Sequence, residues 1–249
     1  MEQEEKWLLT EKYQNITCDA FVEDCIRLKN GEPLAYIIGH IPFLNCNIYL
    51  DSLPLIPRVE TEYWCELLIN TYSHQYIHTK RELKILDLCA GSGCIGVALA
   101  KNLNNTTITF AEIDSSHLKT IKKNTITNIS LEFFSKYCNV VVSDLFSGIS
   151  STYDLIVANP PYIDQLANSV SKSVSNYEPS KALYADEKGF KLIEIIIKHA
   201  HKFLNKQGQI WIEHEPKHVD SIYKVADKYK HITTGLDQYK KPRYTILGV

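Results

Sequence analysis

From Leu83 onward, short runs rich in β-branched residues alternate with helical patterns, and no other property of the chain restricts its fold as much. Strands are expected at 84–89, 107–113, 139–143, 153–158, 209–214, 232–236 and 244–249. Helical patterns fall between them at 93–103, 115–127, 188–204 and 218–229. Alternation of this kind indicates a parallel sheet covered by helices on both faces. Only DQYKKPR separates the last two strands, too little for a parallel crossover, so they should pair antiparallel. The expected fold is α/β and Rossmann-like: a seven-stranded, mostly parallel sheet with an antiparallel last strand.

The first 82 residues read differently. A helical pattern covers 3–29, Gly31 to Pro33 interrupts it, 41–57 alternates weakly like a hairpin, and 61–72 is helical again. The division expected is a helical recognition segment at 1–35, a hairpin linker at 36–60 and the main domain at 61–249. At 249 residues, 45% hydrophobic and 22% charged, the chain has an ordinary globular composition. Its formal charge of −2 gives no sign of broad nucleic-acid binding. Seven cysteines, an odd number with no CxxC pair, read as reduced thiols packed as small hydrophobes, with no metal site. The opening MEQEEKWLLTEKYQ has neither the basic and apolar regions of a signal peptide nor the arginine-rich character of a transit peptide. No apolar run approaches the roughly 20 residues that cross a bilayer. A cytoplasmic protein, monomeric and without membrane contact, is expected.

The first of these strands runs into LDLCAGSGCIG, which contains a literal GxGxxG at Gly91, Gly93 and Gly96. A glycine-rich turn between strand and helix brings a ligand close to backbone N–H groups. A dinucleotide loop must hold two phosphate charges, yet Asp87 stands just below this one. A carboxylate there favours a cation, such as the ammonium and sulfonium centres of S-adenosylmethionine; the alternative is that Asp87 only braces the loop. Gly96 is then assigned to close packing of helix on sheet. Glu112 ends the second strand, at the distance from the glycines where an acid usually takes a ribose hydroxyl pair. Asp114 competes for that role but is better placed to cap the helix starting at Ser115 or Ser116. After the third strand, Asp144 can accept from an adenine amine while Leu145 or Phe146 covers the ring, or it can be an ordinary turn carboxylate.

The fourth strand, YDLIVA, stops in Asn159-Pro160-Pro161-Tyr162. Two prolines make a stiff exit and leave carbonyls available as acceptors. The Asn159 side-chain oxygen and the Pro160 carbonyl can receive the two hydrogens of one planar NH₂ group, with Tyr162 against its face. Such a nitrogen is a poor nucleophile because its lone pair is delocalised. Two aimed acceptors orient it and stabilise the positive charge it acquires on attacking a sulfonium methyl. Asn159, Pro160 and Tyr162 are the expected catalytic groups, and no dedicated general base is needed for the attack.

DLCAGSG followed by NPPY resembles the class I S-adenosylmethionine-dependent methyltransferases that act on planar nitrogens. GEPLAYIIGHIPFLNCNIYLDSLPLIPRVETE, then SDLFSG, NPPYI and YEPSKALYADEKG, resemble in sequence and order the release-factor glutamine methyltransferases, the HemK/PrmC family. The resemblance runs from about Gly31 to the C-terminus. It implies that Cys89, Ala90, Gly91, Ser92 and Gly93 line the methionine part of the cofactor, that Glu112 takes the ribose, and that Asp144 with Leu145 holds the adenine. Asn159, Pro160, Pro161 and Tyr162 would hold the substrate amide, with Asn159 also bordering the cofactor. The substrate implied is the glutamine of the Gly-Gly-Gln motif in peptide chain release factors, gripped in part by the N-terminal helices.

Arg58 and Glu62 match the family's PR-x-x-TE pattern, where bracing the site wall and contacting substrate are both open. Cys89 replaces the usual first glycine of the loop, which implies an ordinary backbone angle there. Glu213-His-Glu215-Pro lacks the family's glycine after Glu-x, Lys240 stands where glycine is common, and the N-terminal segment is shorter than usual. The alternative substrates are another planar nitrogen, in a ribosomal-protein glutamine or a DNA adenine. Adenine in a duplex would require an insertion for base flipping and phosphate neutralisation, and neither an insertion nor a basic excess is present. A binding module without activity would have lost part of NPPY or of the glycine loop, and both are intact.

Overall fold

The computed structural model describes residues 1–76, 81–167 and 170–249. Three helices open the chain, α1 (Gln3–Glu11), α2 (Asp19–Lys29) and α3 (Leu34–Ile38), followed by a hairpin of β1 (His40–Phe43) and β2 (Cys46–Tyr49) and the long α4 (Val59–Tyr76). The alternating part contains β3 (Leu83–Leu88), α5 (Cys94–Asn102), β4 (Thr106–Glu112), α6 (Leu118–Asn128), α7 (Leu131–Tyr137), β5 (Cys138–Val142) and β6 (Tyr153–Ala158). It continues through α8 (Lys172–Tyr177), α9 (Ser180–Leu183), α10 (Lys191–Ala200), β7 (Leu204–Glu213), α11 (Val219–Val225), β8 (His231–Leu236) and β9 (Pro242–Gly248).

The sheet order is β5-β4-β3-β6-β7-β9-β8. Strands β3 to β7 pair parallel, and β9 lies antiparallel between β7 and β8. The mostly parallel sheet and its antiparallel last strand are thus found as expected. The insertion of β9 between β7 and β8, rather than at the edge, is additional. The chain winds outward from β3 in one direction and from β6 in the other. Such a switch point opens a crevice at the carboxyl ends of the two strands.

Burial follows the sequence pattern. Every residue of β6 is buried, as a central strand covered on both faces requires. On α10, Ile193, Ile196, Ile197 and Ala200 recur at helical spacing, and all four are fully buried against one face of the sheet. On the opposite face Trp64 of α4 packs beside Trp211 and Tyr244, whose rings stack 5.2 Å apart. Leu8, Phe21 and Ile37 form a small separate core among the first three helices. The expected single helical stretch at 3–29 is interrupted at 12–18, and its second part starts at Asp19. The helix expected at 188–204 is shorter, because the chain after Ala200 turns into an early start of β7.

The hairpin is docked as well as formed. Its turn is Leu44-Asn45, with φ of 46° and 62°, the left-handed pair that a two-residue hairpin turn needs. Leucine rarely adopts this conformation. The Glu62 carboxylate takes the Leu44 N–H at 2.8 Å and holds the turn against α4. On the other side Asn124 of α6 accepts from the Tyr49 N–H at 2.8 Å and donates to the Tyr49 carbonyl at 3.0 Å.

Candidate active site

The acids and the amide singled out in the sequence converge, together with Glu213, at the carboxyl ends of the parallel strands. Asp87 lies within β3 near its end, Glu112 ends β4, Asp144 follows β5, Asn159 follows β6, and Glu213 ends β7. Asp87 and Asn159 flank the switch point, since β3 and β6 are neighbours.

The glycine loop is held from below. Asp87 is 1% exposed and its Oδ2 accepts the Gly96 N–H at 2.8 Å. Its Oδ1 is buried and has no hydrogen-bond partner among the described residues. Burial, reinforced by the nearby Glu112 charge, pushes the Asp87 carboxyl up to about 8. Gly96 takes the packing role expected of it, because a Cβ there would collide with the Phe110 ring and approach Asp87 Oδ2 to 2.9 Å. Gly96→Ala is expected to cost about 1–3 kcal/mol by overpacking, read as a fall in Tm of several degrees. An unchanged Tm would contradict that packing.

Cys89 overturns one sequence expectation. Its φ is +60°, in the left-handed region, although the residue is not glycine. Gly91 and Gly93 follow at +55° and +77°, so the loop keeps a glycine-like path with a cysteine at its first position. The Cys89 N–H-to-helix turn is tied down by its neighbours: the Ala90 N–H donates to the Ala111 carbonyl at 3.1 Å and the Gly93 N–H to Ala90 at 2.7 Å. Burial and the carboxylates of Glu112, Asp87 and Asp144 push the thiol pKa upward, which keeps it protonated and unreactive. Lys240 behaves alike, at φ +61°, in the turn that Asp237 organises by accepting N–H bonds from Tyr239 and Lys241 at 2.9 Å each.

Glu112 bridges the two neighbouring loops. It accepts the Gly91 N–H at 2.7 Å on Oε2 and the Asp114 N–H at 2.9 Å on Oε1. Each oxygen retains a second lone pair. Asp114 caps the next turn, as expected of it, by accepting the Ser116 N–H at 2.9 Å. Asp144 is exposed, and Leu145 beside it is half-buried with φ +47°. Phe146 is stacked on Phe203 at 4.6 Å. Phe146 is thereby committed to the core, whereas Leu145 is only partly buried against it. Asn124 completes the loop from behind, donating to the Ser92 carbonyl at 2.9 Å.

Asn159, Pro160 and Tyr162 line a cavity of about 300 Å³ with Leu55, Arg58 and Ile163. Asn159 Nδ2 donates to Thr61 Oγ1 at 3.1 Å, and Thr61 Oγ1 donates to Glu213 Oε2 at 2.6 Å. The same Oε2 accepts the Trp64 indole N–H at 2.8 Å, while Tyr162 donates to Oε1 at 2.8 Å. Glu213 is fully buried, and burial raises its pKa against these hydrogen bonds and the Arg243 charge. The Tyr162 hydroxyl is raised well above its usual range by burial and by Glu213, so it remains a donor. The sequence singled out neither Thr61 nor Glu213 as a site residue.

The remaining wall is built by the other quoted segments. Arg58 donates to Glu178 at 2.7 Å, and Glu178 also takes the Ile56 N–H at 3.1 Å. Of the two roles open for the PR-x-x-TE residues, Glu62 braces the hairpin turn. Arg58 braces Glu178 while also lining the cavity. The Ile163 N–H donates to the Leu183 carbonyl at 2.9 Å, and the Ala185 N–H to Ile163 at 3.1 Å. Gly189, at φ +88°, lies against the Tyr162 backbone where a Cβ would strike the carbonyl. The YEPSKALYADEKG segment thus clamps the chain just beyond Tyr162.

Comparison with known proteins places this geometry in context. Residues 64–176 match the family model described as the methyltransferase small domain. The chain is 38% identical to the release factor glutamine methyltransferase of Francisella tularensis over 80% of its own length and 68% of that protein's. It is 34% identical to the Streptococcus pneumoniae enzyme of the same name, over 91% of this chain and 79% of the relative. Among solved structures, the ribosomal protein L11 methylase from Lactobacillus delbrueckii superposes with a TM-score of 0.53 at 16% identity, covering 79% of this chain and 80% of that one. At that identity the likeness is one of fold, the class I methyltransferase fold. Among the described residues no helix is long and apolar enough to cross a membrane, and no cluster of potential metal ligands occurs.

Proposed function

The chain belongs to the release factor glutamine methyltransferase family, and from that premise we propose that the cavity beside Asn159 is where a release-factor glutamine is methylated on its side-chain nitrogen. The enzyme is a protein-glutamine N5-methyltransferase. The glutamine meant is that of the Gly-Gly-Gln motif, and the methyl donor is S-adenosylmethionine.

The observation that carries this reading is the orientation of Asn159. One Nδ2 hydrogen is given to Thr61, which leaves Oδ1 as the side chain's acceptor beside the cavity that Asn159 lines. Oδ1 and the Pro160 carbonyl are two acceptors at a rigid strand exit, matched to the two N–H bonds of one primary amide. Holding both fixes the plane of the substrate amide and favours the charge it gains during attack. Tyr162, tied to Glu213 through its hydroxyl, supplies a flat wall whose position does not depend on substrate. When bound, S-adenosylmethionine supplies an electrophilic methyl on a sulfonium centre.

The residues beneath the glycine loop fit such a cation. The orphaned Asp87 Oδ1 is a buried acceptor still without a donor, and the space above Gly91 is open, since a Cβ there meets nothing within 4 Å. Cys89, Ala90, Gly91, Ser92 and Gly93 would hold the amino-acid part, Glu112 the ribose, and Asp144 with Leu145 the adenine. The separate core of Leu8, Phe21 and Ile37 supports a recognition segment among the first helices, running a few residues past 1–35 to the end of α3, with the rest of 36–60 as a linker and 61–249 as the transferase domain. A monomer acting in the cytoplasm on a protein, without direct contact to nucleic acid, completes the proposal.

The test is transfer of label from S-adenosylmethionine to a release factor, with and without its motif glutamine replaced. Label on the intact factor alone is the expected result. Equal labelling of both versions, or of neither, would overturn the assignment.

A further inference from the structure

Asn159 can serve as an acceptor only if its amide is turned the right way, and an amide has two orientations of almost equal shape. Oxygen and nitrogen exchange places on a flip, and a flipped Asn159 would aim N–H bonds at the N–H bonds of the substrate. Something outside the cavity must set the choice.

With Glu213 ionised, the hydrogen-bond chain behind Asn159 has only one consistent polarity. The Trp64 indole nitrogen is a donor and nothing else, so Glu213 Oε2, 2.8 Å away, is an acceptor. Thr61 Oγ1 lies 2.6 Å from the same Oε2, so its single proton is spent there. What the Thr61 oxygen offers Asn159 at 3.1 Å is a lone pair, and only Nδ2 can answer it. The polarity is that of the ionised Glu213, whose Oε2 accepts from both Trp64 and Thr61 while its Oε1 accepts from Tyr162. All three supporting side chains are buried, Thr61 at 1%, Trp64 at 0% and Glu213 at 0% exposure, so solvent cannot rearrange the bonds.

We infer that Thr61, Glu213 and Trp64 are positioning residues that set the amide of Asn159 with its oxygen toward the substrate. This rests on the reading of Asn159 as the acceptor for the glutamine amide. It joins the end of β7 and the start of α4 to an atom at the end of β6, and it gives the threonine of the PR-x-x-TE segment a task in the reaction rather than in folding alone.

The decisive variants are Thr61→Val, which keeps shape but loses both donor and acceptor, and Thr61→Ser, which restores them. With wild-type enzyme methylating an intact release factor, Thr61→Val is expected to lower kcat by about 10²-fold, the scale on which misplacement of a reacting group acts. Its dissociation constant for S-adenosylmethionine should stay within about threefold, and Thr61→Ser should recover most of kcat. Glu213→Gln is an independent arm, since Trp64 forces the glutamine oxygen into the Oε2 position and the polarity survives. It should cost less than about tenfold, whereas a role for the Glu213 charge would cost about 10²-fold or more. Full activity in Thr61→Val overturns the inference. So do equal losses in the valine and serine variants, a parallel loss of cofactor affinity, or a Glu213→Gln enzyme as impaired as Thr61→Val. Should Thr61→Val fail to fold, a Glu213→Gln loss of about 10²-fold or more overturns the inference on its own. Wild-type protein that transfers no methyl to the release factor refutes the proposed function itself, an outcome distinct from all of these.

Discussion

Asn159→Ala is expected to lower the rate of methyl transfer to a release factor by about 10²- to 10³-fold, the range observed when one aimed hydrogen-bonding group is removed from a transition state. The affinity for S-adenosylmethionine should change little. Alanine removes the Oδ1 acceptor and leaves the stiff Pro160-Pro161 exit, so the cavity of about 300 Å³ persists without one of its two aimed acceptors. The glycine loop is held by different bonds, from Asp87 to Gly96 and from Glu112 to Gly91, which the substitution does not touch. Single-turnover transfer and calorimetric cofactor binding separate the two effects. A matched loss of both would mean that Asn159 is structural, and an active variant would remove it from the reaction.

What the sequence revealed of this site, and what it hid, follows from how far apart the interacting groups lie. The glycine loop and NPPY each occupy one turn after one strand, so their chemistry is written in adjacent residues. The alternation of strand and helix is likewise local, and it specified the parallel sheet. The polarity chain behind Asn159 is not local: Thr61 and Glu213 are 152 residues apart, and their bond exists only once α4 lies across β7. The faint signal was the pair of segments themselves, PRVETE and IEHEP, which carried buried polar groups with no evident use. Helices α8 and α9 escaped because six and four residues are too few to show a helical period. Cys89 misled for the opposite reason, and Lys240 shows the same backbone. Glycine is the usual occupant of a left-handed position, but surrounding hydrogen bonds hold these residues at φ near +60° without it.

Asp87→Asn should move stability and cofactor affinity in opposite directions. In the folded protein the Asp87 carboxyl titrates near 8 because burial disfavours its charge, whereas in the unfolded chain it titrates near 3.9. Between about pH 4 and 8 the folded state therefore holds a proton that the unfolded state has released. Stability of the ligand-free protein must fall as pH rises across that window, by up to about 1.4 kcal/mol per unit, and level off above it. Asparagine carries no such charge, so the variant should lose this part of the slope and exceed wild type in Tm at neutral and alkaline pH. Binding reverses the sign. The Gly96 N–H requires an oxygen at the Oδ2 position, so the new amide nitrogen is forced to the position of Oδ1, the acceptor that has no partner. There it offers N–H bonds to a cationic ligand that needs the opposite, and affinity for S-adenosylmethionine should fall about 10- to 100-fold, the worth of a lost charged hydrogen bond. Wild-type affinity should also rise from pH 6 to about 8, as the carboxyl gives up its proton to accommodate the cation, and that rise should vanish in the variant. Thermal melts across pH with and without cofactor measure both effects. A variant that is less stable at pH 8 and binds cofactor normally would show that Asp87 only braces Gly96.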